Sequence, residues 1–310
     1  MNEVKTDARS VPVLASAWRW RRQIQLEDAV FLLPGVLIYT LFLCYPALSS
    51  FYYSLTDWDG LSPNSSFIGL DNFTRLWEDG QFWRTLRNTL IFAGGLVIFL
   101  NLIAFAVALA LDGKGRLRQW LRVLFLVPTL LSGLSIGYIW SYMYSPNFGV
   151  INTLLDKAGL GSWKQDWLGD AMLALPSVIF THLWQWTGFH MIIFLAALQG
   201  VAKELLEAAE MDGSGPWQRL WHIIIPQVRP AFTISVILAT IGGLKVFDTI
   251  MIMTQGGPGG ATDSLSTLIY RTAFNFNDMG YASAIGLVML LFIMLISIIQ
   301  LKLLRRGGEA

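Results

Sequence analysis

Charged residues are scarce in this sequence. Only 14% of its 310 residues are charged and 54% are hydrophobic, whereas an ordinary soluble domain carries about 25% charged residues. The net charge is +1 at neutral pH, so nothing indicates a nucleic-acid partner. The 13 Trp, 19 Phe and 28 Gly residues are typical of helices that cross a bilayer. We therefore predict a membrane protein.

Cysteine and histidine are rare as well. The single cysteine, Cys44, lies in an apolar run and cannot form a disulfide within the chain. Among the three histidines, His182 and His190 lie eight residues apart, which places them about 80° apart around a helix. That angle makes them a poor pair of ligands for one metal. We expect packing or hydrogen-bonding roles for them, and we predict no metal, other cofactor or catalytic residue in this chain.

Long apolar stretches dominate the remainder. A membrane-spanning helix needs about 20 mostly apolar residues. Five stretches without Asp, Glu, Lys or Arg are long enough, and a sixth is apolar except for Lys245 and Asp248. We predict an all-α polytopic membrane protein with one membrane domain, 29–304, whose six spans lie at 30–54, 88–111, 122–144, 173–199, 231–253 and 281–303.

Lysine and arginine are distributed unevenly around these spans. Fifteen of them fall in the N-terminal tail (1–28), in two alternate loops and at the C-terminal end, which includes the tail 305–310, whereas six fall in the other loops. Because Lys and Arg are enriched on the cytoplasmic side, we expect both termini to be cytoplasmic. The first 28 residues contain no apolar core of a signal peptide, so we expect no cleaved leader.

The loop between the fourth and fifth spans, 201–230, has the most informative local pattern. We predict a first helix over about 202–211, closed by Gly213, which suits the left-handed position after a helix. Pro216 suits the first turn of a second helix. We expect that second helix to end near Ile225, before Pro226.

The first of these helices has an acidic edge. Glu204, Glu207 and Glu210 recur at spacings of three and therefore form a stripe. Ala208 and Ala209 leave a patch without bulk beside it. The residues alone are compatible with a solvated amphipathic connector and with a helix that fits into a groove of another protein.

A known motif resolves this ambiguity. The series Glu207-Ala208-Ala209, Gly213, Ile223 and Ile225-Pro226 resembles the EAA loop of binding-protein-dependent ABC permeases. The usual ending of that motif is Ile-x-Leu-Pro, and Ile225 in place of Leu conserves volume. The resemblance implies that this loop docks into a cleft of a cytoplasmic ATPase subunit and transmits its closure to the spans. The coupling residues would be Glu207, Ala208, Ala209, Gly213, Ile223 and Pro226.

Further stretches resemble the maltose-type and glycerol-phosphate-type sugar permeases. The segment 67–73, Phe-Ile-Gly-Leu-Asp-Asn-Phe, is similar to their FxGLxNF stretch, and Asn88-Thr89 follow in register. The segments 184–189, 247–248, 254–258 and 270–274 are also similar. Two positions depart from the pattern: Ala202 stands where a proline is common, and His190 where a small polar residue is more usual. Fine substrate specificity is therefore not transferred.

This family resemblance implies a type I ABC importer permease fold in the bacterial inner membrane. It also implies a second permease as heterodimer partner, an ATP-binding subunit dimer that uses ATP and Mg, a periplasmic solute-binding protein and a sugar-like substrate, with membrane lipid around the spans. The sequence has no Gly-x-x-x-x-Gly-Lys-[Ser/Thr] pattern, so ATP hydrolysis belongs to a partner.

Two other classes remain for comparison. An ion-coupled secondary transporter is expected to show internal repeats and coupling-ion ligands near the membrane midplane, and only Lys245 and Asp248 are candidates here. A membrane-embedded enzyme is disfavoured because neither HExxH nor GxSxG occurs. The ABC importer permease is therefore the preferred interpretation.

The path of the solute can be located by depth. Counting about ten residues from each helix end to the bilayer centre places Trp186 of span four and Gly242 of span five at the midplane, with Lys245 and Asp248 slightly outward. We predict that these four residues line the path and that Trp184 points elsewhere. In the alternative, Lys245 pairs with Asp248 at a spacing of three. A Lys245 that faces the path would favour an anionic solute such as a sugar phosphate or sulfonate.

Overall fold

The computed structural model describes residues 26–306, which are largely helical. Within that range the only extended pairing is an isolated bridge between Thr56 and Phe67. The α-helices are α1 (Leu26–Tyr39), α2 (Tyr45–Tyr53), α3 (Asp71–Glu78), α4 (Gly80–Gly95), α5 (Asn101–Leu111), α6 (Arg116–Leu130), α7 (Gly133–Met143), α8 (Val150–Lys157), α9 (Ala174–Gln199), α10 (Lys203–Met211), α11 (Pro216–Arg219), α12 (Ile225–Leu244), α13 (Asp248–Met253), α14 (Leu265–Tyr270) and α15 (Met279–Arg306). Single π turns lie at Thr40–Cys44, Leu96–Leu100, Leu220–Ile224 and Arg271–Asn275, and a 3-10 turn at Gly161–Trp163.

The described residues contain five or six segments that could span a membrane, where six were predicted. Five continuous helical segments are long and apolar enough to cross a bilayer: Phe31–Tyr53, Gly80–Leu111, Ala174–Gln199, Pro216–Leu244 and Met279–Leu304. The bent pair α6 and α7 makes a sixth if it forms one span. The all-α, multi-span fold is thus confirmed. Most of the predicted tails, 1–28 and 305–310, lies outside the described residues.

Internal packing divides the chain after Ser50. In the first unit, the described residues 26–50 form a helix with one π turn. The second unit, 51–306 as described, contains three hydrophobic clusters. One includes Phe92, Leu96, Ile136, Trp140, Val178 and Ile250. Another includes Phe105, Ala108, Met191, Phe194 and Val228. The third joins α4, α14 and α15 through Phe82, Leu265, Leu268, Tyr281 and Ile285.

The predicted third span, 122–144, is not one straight helix. Helix α6 ends at Leu130 and α7 begins at Gly133, with a bend of 101° between them. Leu131 has an extended backbone, and the Ser132 side chain accepts a hydrogen bond from the Ser135 N–H and so caps α7. A serine cap starts a new helix and stops continuation of the old one. This short polar signal sits inside an apolar run, so composition alone does not reveal the break.

The predicted fifth span, 231–253, is also interrupted. Helix α12 ends at Leu244, and α13 begins only at Asp248. Two consecutive glycines, Gly242 and Gly243, precede the break, and glycine weakens a helix by roughly 0.5–1 kcal/mol relative to alanine. Lys245 and Asp248 therefore do not lie one turn apart on one helix. No ion pair joins them among the described residues, so the alternative of a Lys245–Asp248 pair is wrong.

The loop 201–230 differs from the prediction at its end. Its second helix does not stop at Ile225, because α11 continues through the π turn Leu220–Ile224 directly into α12. Pro226 lies in the first turn of α12. Proline lacks an N–H and its ring clashes with the carbonyl four residues earlier, and the wider π turn just before it relieves that conflict. Pro216–Leu244 is consequently one helix of 29 residues.

Candidate solute cavity and coupling loop

A cavity of about 280 Å³ lies where the two helix breaks meet. Its lining comes from the α6–α7 break, one face of α9, the end of α12 and the start of α13. All four residues predicted for the solute path line this cavity: Trp186, Gly242, Lys245 and Asp248. Non-helical backbone at membrane depth is tolerated where it is buried in protein or borders a water-filled cavity. The two helix breaks are therefore tolerated because both border this cavity.

Side chains satisfy the backbone groups that the breaks release. The Leu131 carbonyl accepts a hydrogen bond from Gln185 Nε2 at 3.3 Å. The Val246 carbonyl accepts one from the Ser264 hydroxyl at 2.9 Å. Both donors are buried. In the sequence, Gln185 belongs to a segment that resembles sugar permeases, and no role was predicted for it. Its hydrogen bond to Leu131 depends on the α6–α7 break, which was not predicted.

Helix α9 presents a polar face to the cavity. His182, Gln185, Trp186 and His190 all line it. His190 Nδ1 and the Ser235 hydroxyl lie 2.6 Å apart, which joins α9 to α12. We predicted packing or hydrogen-bonding roles for the two histidines, and His190 makes such a hydrogen bond, but their position at the cavity was not predicted. Their recurrence with Gln185 along one stripe of the helix was the available signal.

The two neighbouring tryptophans of α9 point to different places. Trp186 is half-buried at the cavity. Trp184 is 41% exposed and lines a separate apolar groove between α5, α6 and α9. Its ring also contacts Trp140 edge-on, with centroids 5.4 Å apart. Only Trp186 therefore reaches the predicted path.

The glycines near mid-membrane have unequal surroundings. A Cβ added to Gly242 would meet no atom within 4 Å. One added to Gly243 would lie 2.7 Å from the Ala93 Cα, and one on Gly188 would overlap the Phe125 carbonyl. Gly188 and Gly243 therefore allow close helix packing, as small residues do in membranes, whereas Gly242 leaves space at the cavity.

The two charged cavity residues occupy opposite helix ends. Lys245 follows the last residue of α12, and a cation is favoured at the C-terminal end of a helix. Asp248 packs against Gly133 at the start of α7, and an anion is favoured at the N-terminal end of a helix. An ideal Cβ on Gly133 would lie 3.1 Å from the Asp248 Cβ. Neither charge has an ion-pair partner in the described part of the chain. The cavity thus holds one cation and one anion, and its net charge favours neither an anionic nor a neutral solute.

Asn88, Thr89 and Arg271, which belong to segments similar to sugar permeases, all contact the stretch 260–265. Asn88 Nδ2 donates to the Gly260 carbonyl at 3.0 Å, and the Leu265 N–H donates to the Thr89 hydroxyl at 3.0 Å. Buried Asp263 forms an ion pair with Arg271. These contacts hold the glycine-rich segment 254–264 against α4.

The first helix of the loop 201–230 ends at the predicted left-handed glycine. Gly213 has a φ of +79°, which confirms that prediction. Its N–H donates to the Glu210 carbonyl at 3.0 Å, and the Ser214 N–H donates to the Ala209 carbonyl at 2.9 Å. This pattern is a Schellman motif, which satisfies the free carbonyls at a helix end. The turn fixes the direction in which the chain enters α11.

Helix α10 has one face packed on the protein interior and another exposed. Leu206 packs with the cluster around Phe194. Glu207 and Ala208 are exposed, Ala209 and Ile223 are half-buried, and Pro226 is exposed. Glu210 pairs with Arg219 of α11 at 2.9 Å. Glu204 and Glu207 make no ion pair with another residue between 31 and 304.

Comparison with known proteins identifies the family of this chain. Residues 100–307 match the family of the binding-protein-dependent transport system inner membrane component. The chain is 35% identical to the probable ABC transporter permease protein YurN of Bacillus subtilis, over 93% of this chain and 99% of the relative. It is 32% identical to the multiple sugar-binding transport system permease protein MsmF of Streptococcus mutans, over 95% and 97%.

The fold has a solved counterpart. A chain of a bacterial alginate ABC transporter, crystallised in complex with an alginate pentasaccharide-bound periplasmic protein, superposes with a TM-score of 0.81. It is 24% identical and covers 94% of this chain and 99% of its own. An ion-coupled secondary transporter is excluded by these relationships. The chain belongs to the binding-protein-dependent transport system inner membrane component family and is an ABC transporter permease.

Proposed function

We propose that this chain is one of two permease subunits of a bacterial inner-membrane importer for a sugar or sugar-like solute. Its partners would be a second permease, a dimer of ATP-binding subunits that use ATP and Mg, and a periplasmic solute-binding protein. The relatives support the solute class, since their names include multiple sugar-binding and lactose transport systems. Within this assembly, loop 201–230 is the coupling loop.

The continuous helix Pro216–Leu244 carries the proposal. It begins in the coupling loop and ends at the cavity, beside Gly242 and Lys245. With a rise of about 1.5 Å per residue, its 29 residues extend about 44 Å. A displacement of α10 and α11 by an ATPase subunit would therefore reach the cavity wall through one helix. This connection links nucleotide-driven closure to the solute path.

Reconstitution tests the function directly. The tagged full chain, purified in mild detergent with its co-purifying subunits, is placed in vesicles with Mg-ATP on the coupling-loop side. The binding protein is supplied on the other side with a labelled sugar that raises its melting temperature. We expect uptake that requires ATP hydrolysis. Uptake driven by an ion gradient without any ATPase subunit would contradict the proposal.

Orientation gives a second expected result. In a Cys44→Ser background, Ser162→Cys should react with a membrane-impermeant maleimide from the periplasm, because Ser162 lies in an exposed turn on the side that we expect to be periplasmic. Ser214→Cys, in the coupling loop, should react only after permeabilisation. The basis is the excess of Lys and Arg on the coupling-loop side. The opposite labelling pattern would reverse the topology, and a denatured sample controls for the reactivity of each cysteine.

A further inference from the structure

An apolar groove of about 500 Å³ lies on the lateral surface of the second unit. We call it the lateral groove, and its lining includes Leu124, Val127, Leu131, Phe180, Trp184 and Thr187. The Thr187 hydroxyl donates to the Leu183 carbonyl at 2.6 Å, so it offers no free donor. The groove is therefore a surface for hydrocarbon. It is separate from the solute cavity, although both border the α6–α7 break.

Basic residues lie at, and just before, the N-terminal end of α6, whose C-terminal half lines the lateral groove. Lys114, Arg116 and Arg118 are exposed, and none has an ion-pair partner among the described residues. Trp120, 73% exposed, lies between them and the groove, as expected for a residue at the membrane interface. Helix α6 contains no acidic residue. Its N-terminal end therefore presents a net positive charge beside an aromatic anchor, with Asp112 as the one carboxylate in the loop 112–115.

The distance between these features matches one leaflet. Arg116 and Leu131 are fifteen residues apart, about 22 Å along a helix. Half of a bilayer is also about 20–22 Å thick when the headgroups are included. The groove ends at the 101° bend, where α7 departs from the direction of α6. A membrane-spanning helix of another subunit would need about twice that length, so a lipid of a single leaflet fits better.

We propose that the lateral groove and the basic end of α6 form one binding site for an anionic phospholipid. The phosphate contacts Arg116, which lies on the same face of α6 as Trp120, Leu124 and Val127, and one acyl chain lies in the groove against Val127 and Trp184. Basic pockets beside membrane helices recognise anionic headgroups, with about 1 kcal/mol for each Lys or Arg near the surface. The site would hold the lipid beside the break that also borders the solute cavity.

Native mass spectrometry of the full chain tests this site. The transporter is placed in phosphatidylcholine nanodiscs that contain a minor fraction of phosphatidylglycerol, then released with mild detergent. We expect one retained phosphatidylglycerol for each copy of this chain. The variant Arg116→Gln should reduce retention about fivefold, as expected for the loss of about 1 kcal/mol. Val127→Trp should do the same, because residue 127 is exposed and a larger side chain fills the groove.

Matched controls separate the site from general membrane charge. Lys203→Gln with Lys302→Gln removes two exposed cations elsewhere, and Leu134→Trp adds the same ring at an exposed position outside the groove. Both should retain the lipid. Equal retention of phosphatidylcholine, or equal loss in the control variants, would overturn the proposal. A crosslink from a photoreactive residue at position 127 to the second permease would overturn it by showing a protein occupant.

Discussion

Gly213→Val is expected to abolish ATP-driven uptake while the chain still reaches the membrane. The φ of +79° at this position is strained for any residue with a side chain, at a cost of order 1–3 kcal/mol. No atom lies within 4 Å of the position of a Cβ, so the effect is conformational and local. The turn between α10 and α11 would open, and α10 would no longer present its exposed face in the orientation that the ATPase cleft requires.

Asparagine provides the control for this variant. Gly213→Asn should retain most of the uptake, because asparagine tolerates the left-handed region better than other residues with side chains. ATP-dependent uptake and the amount of chain in the membrane are measured together. Normal uptake by Gly213→Val would remove the coupling role of this turn. Loss of the valine variant from the membrane would instead assign Gly213 to folding.

Glu207 allows the same mechanism to be tested through charge. Glu207→Lys should abolish uptake, since it reverses an exposed charge that has no partner in the described chain. Glu207→Gln keeps the shape and should lose less activity. Unlike Glu207, Glu210 is paired with Arg219, so its replacement should weaken the contact between α10 and α11 as well.

Much of the fold could be predicted from composition and local chemistry. The bilayer requires about 20 apolar residues for each span, so the number of spans could be predicted from the apolar stretches. The Schellman stop at Gly213 was predictable because few residues other than glycine adopt its backbone angles readily. These features depend on short-range rules that a single sequence carries in full.

The two helix breaks depend on contacts that are distant in sequence. Leu130 to Gly133 and Leu244 to Asp248 each lie within runs that are apolar enough to continue as a helix. The breaks meet because Asp248 packs on Gly133, 115 positions apart. Counting depth along straight helices still selected Trp186 and Lys245, because both breaks lie at the depth where the cavity forms. The same counting did not identify Gln185 or the histidines, whose roles depend on which face of α9 is turned inward.

The consecutive glycines of α12 provide the second large expected effect. Gly243→Ala should sharply lower the yield and the melting temperature of the detergent-solubilised complex, whereas Gly242→Ala should not. Both changes gain the same roughly 0.5–1 kcal/mol of helix propensity. Their difference therefore isolates packing. The added Cβ at position 243 would lie 2.7 Å from the Ala93 Cα and 3.0 Å from its Cβ, and separating two packed helices typically costs about 1–3 kcal/mol. At position 242 the methyl group meets open space beside the cavity. Fluorescence-detected size-exclusion chromatography after a heating series measures both variants. Equal melting temperatures would show that α4 and α12 do not pack as closely as described.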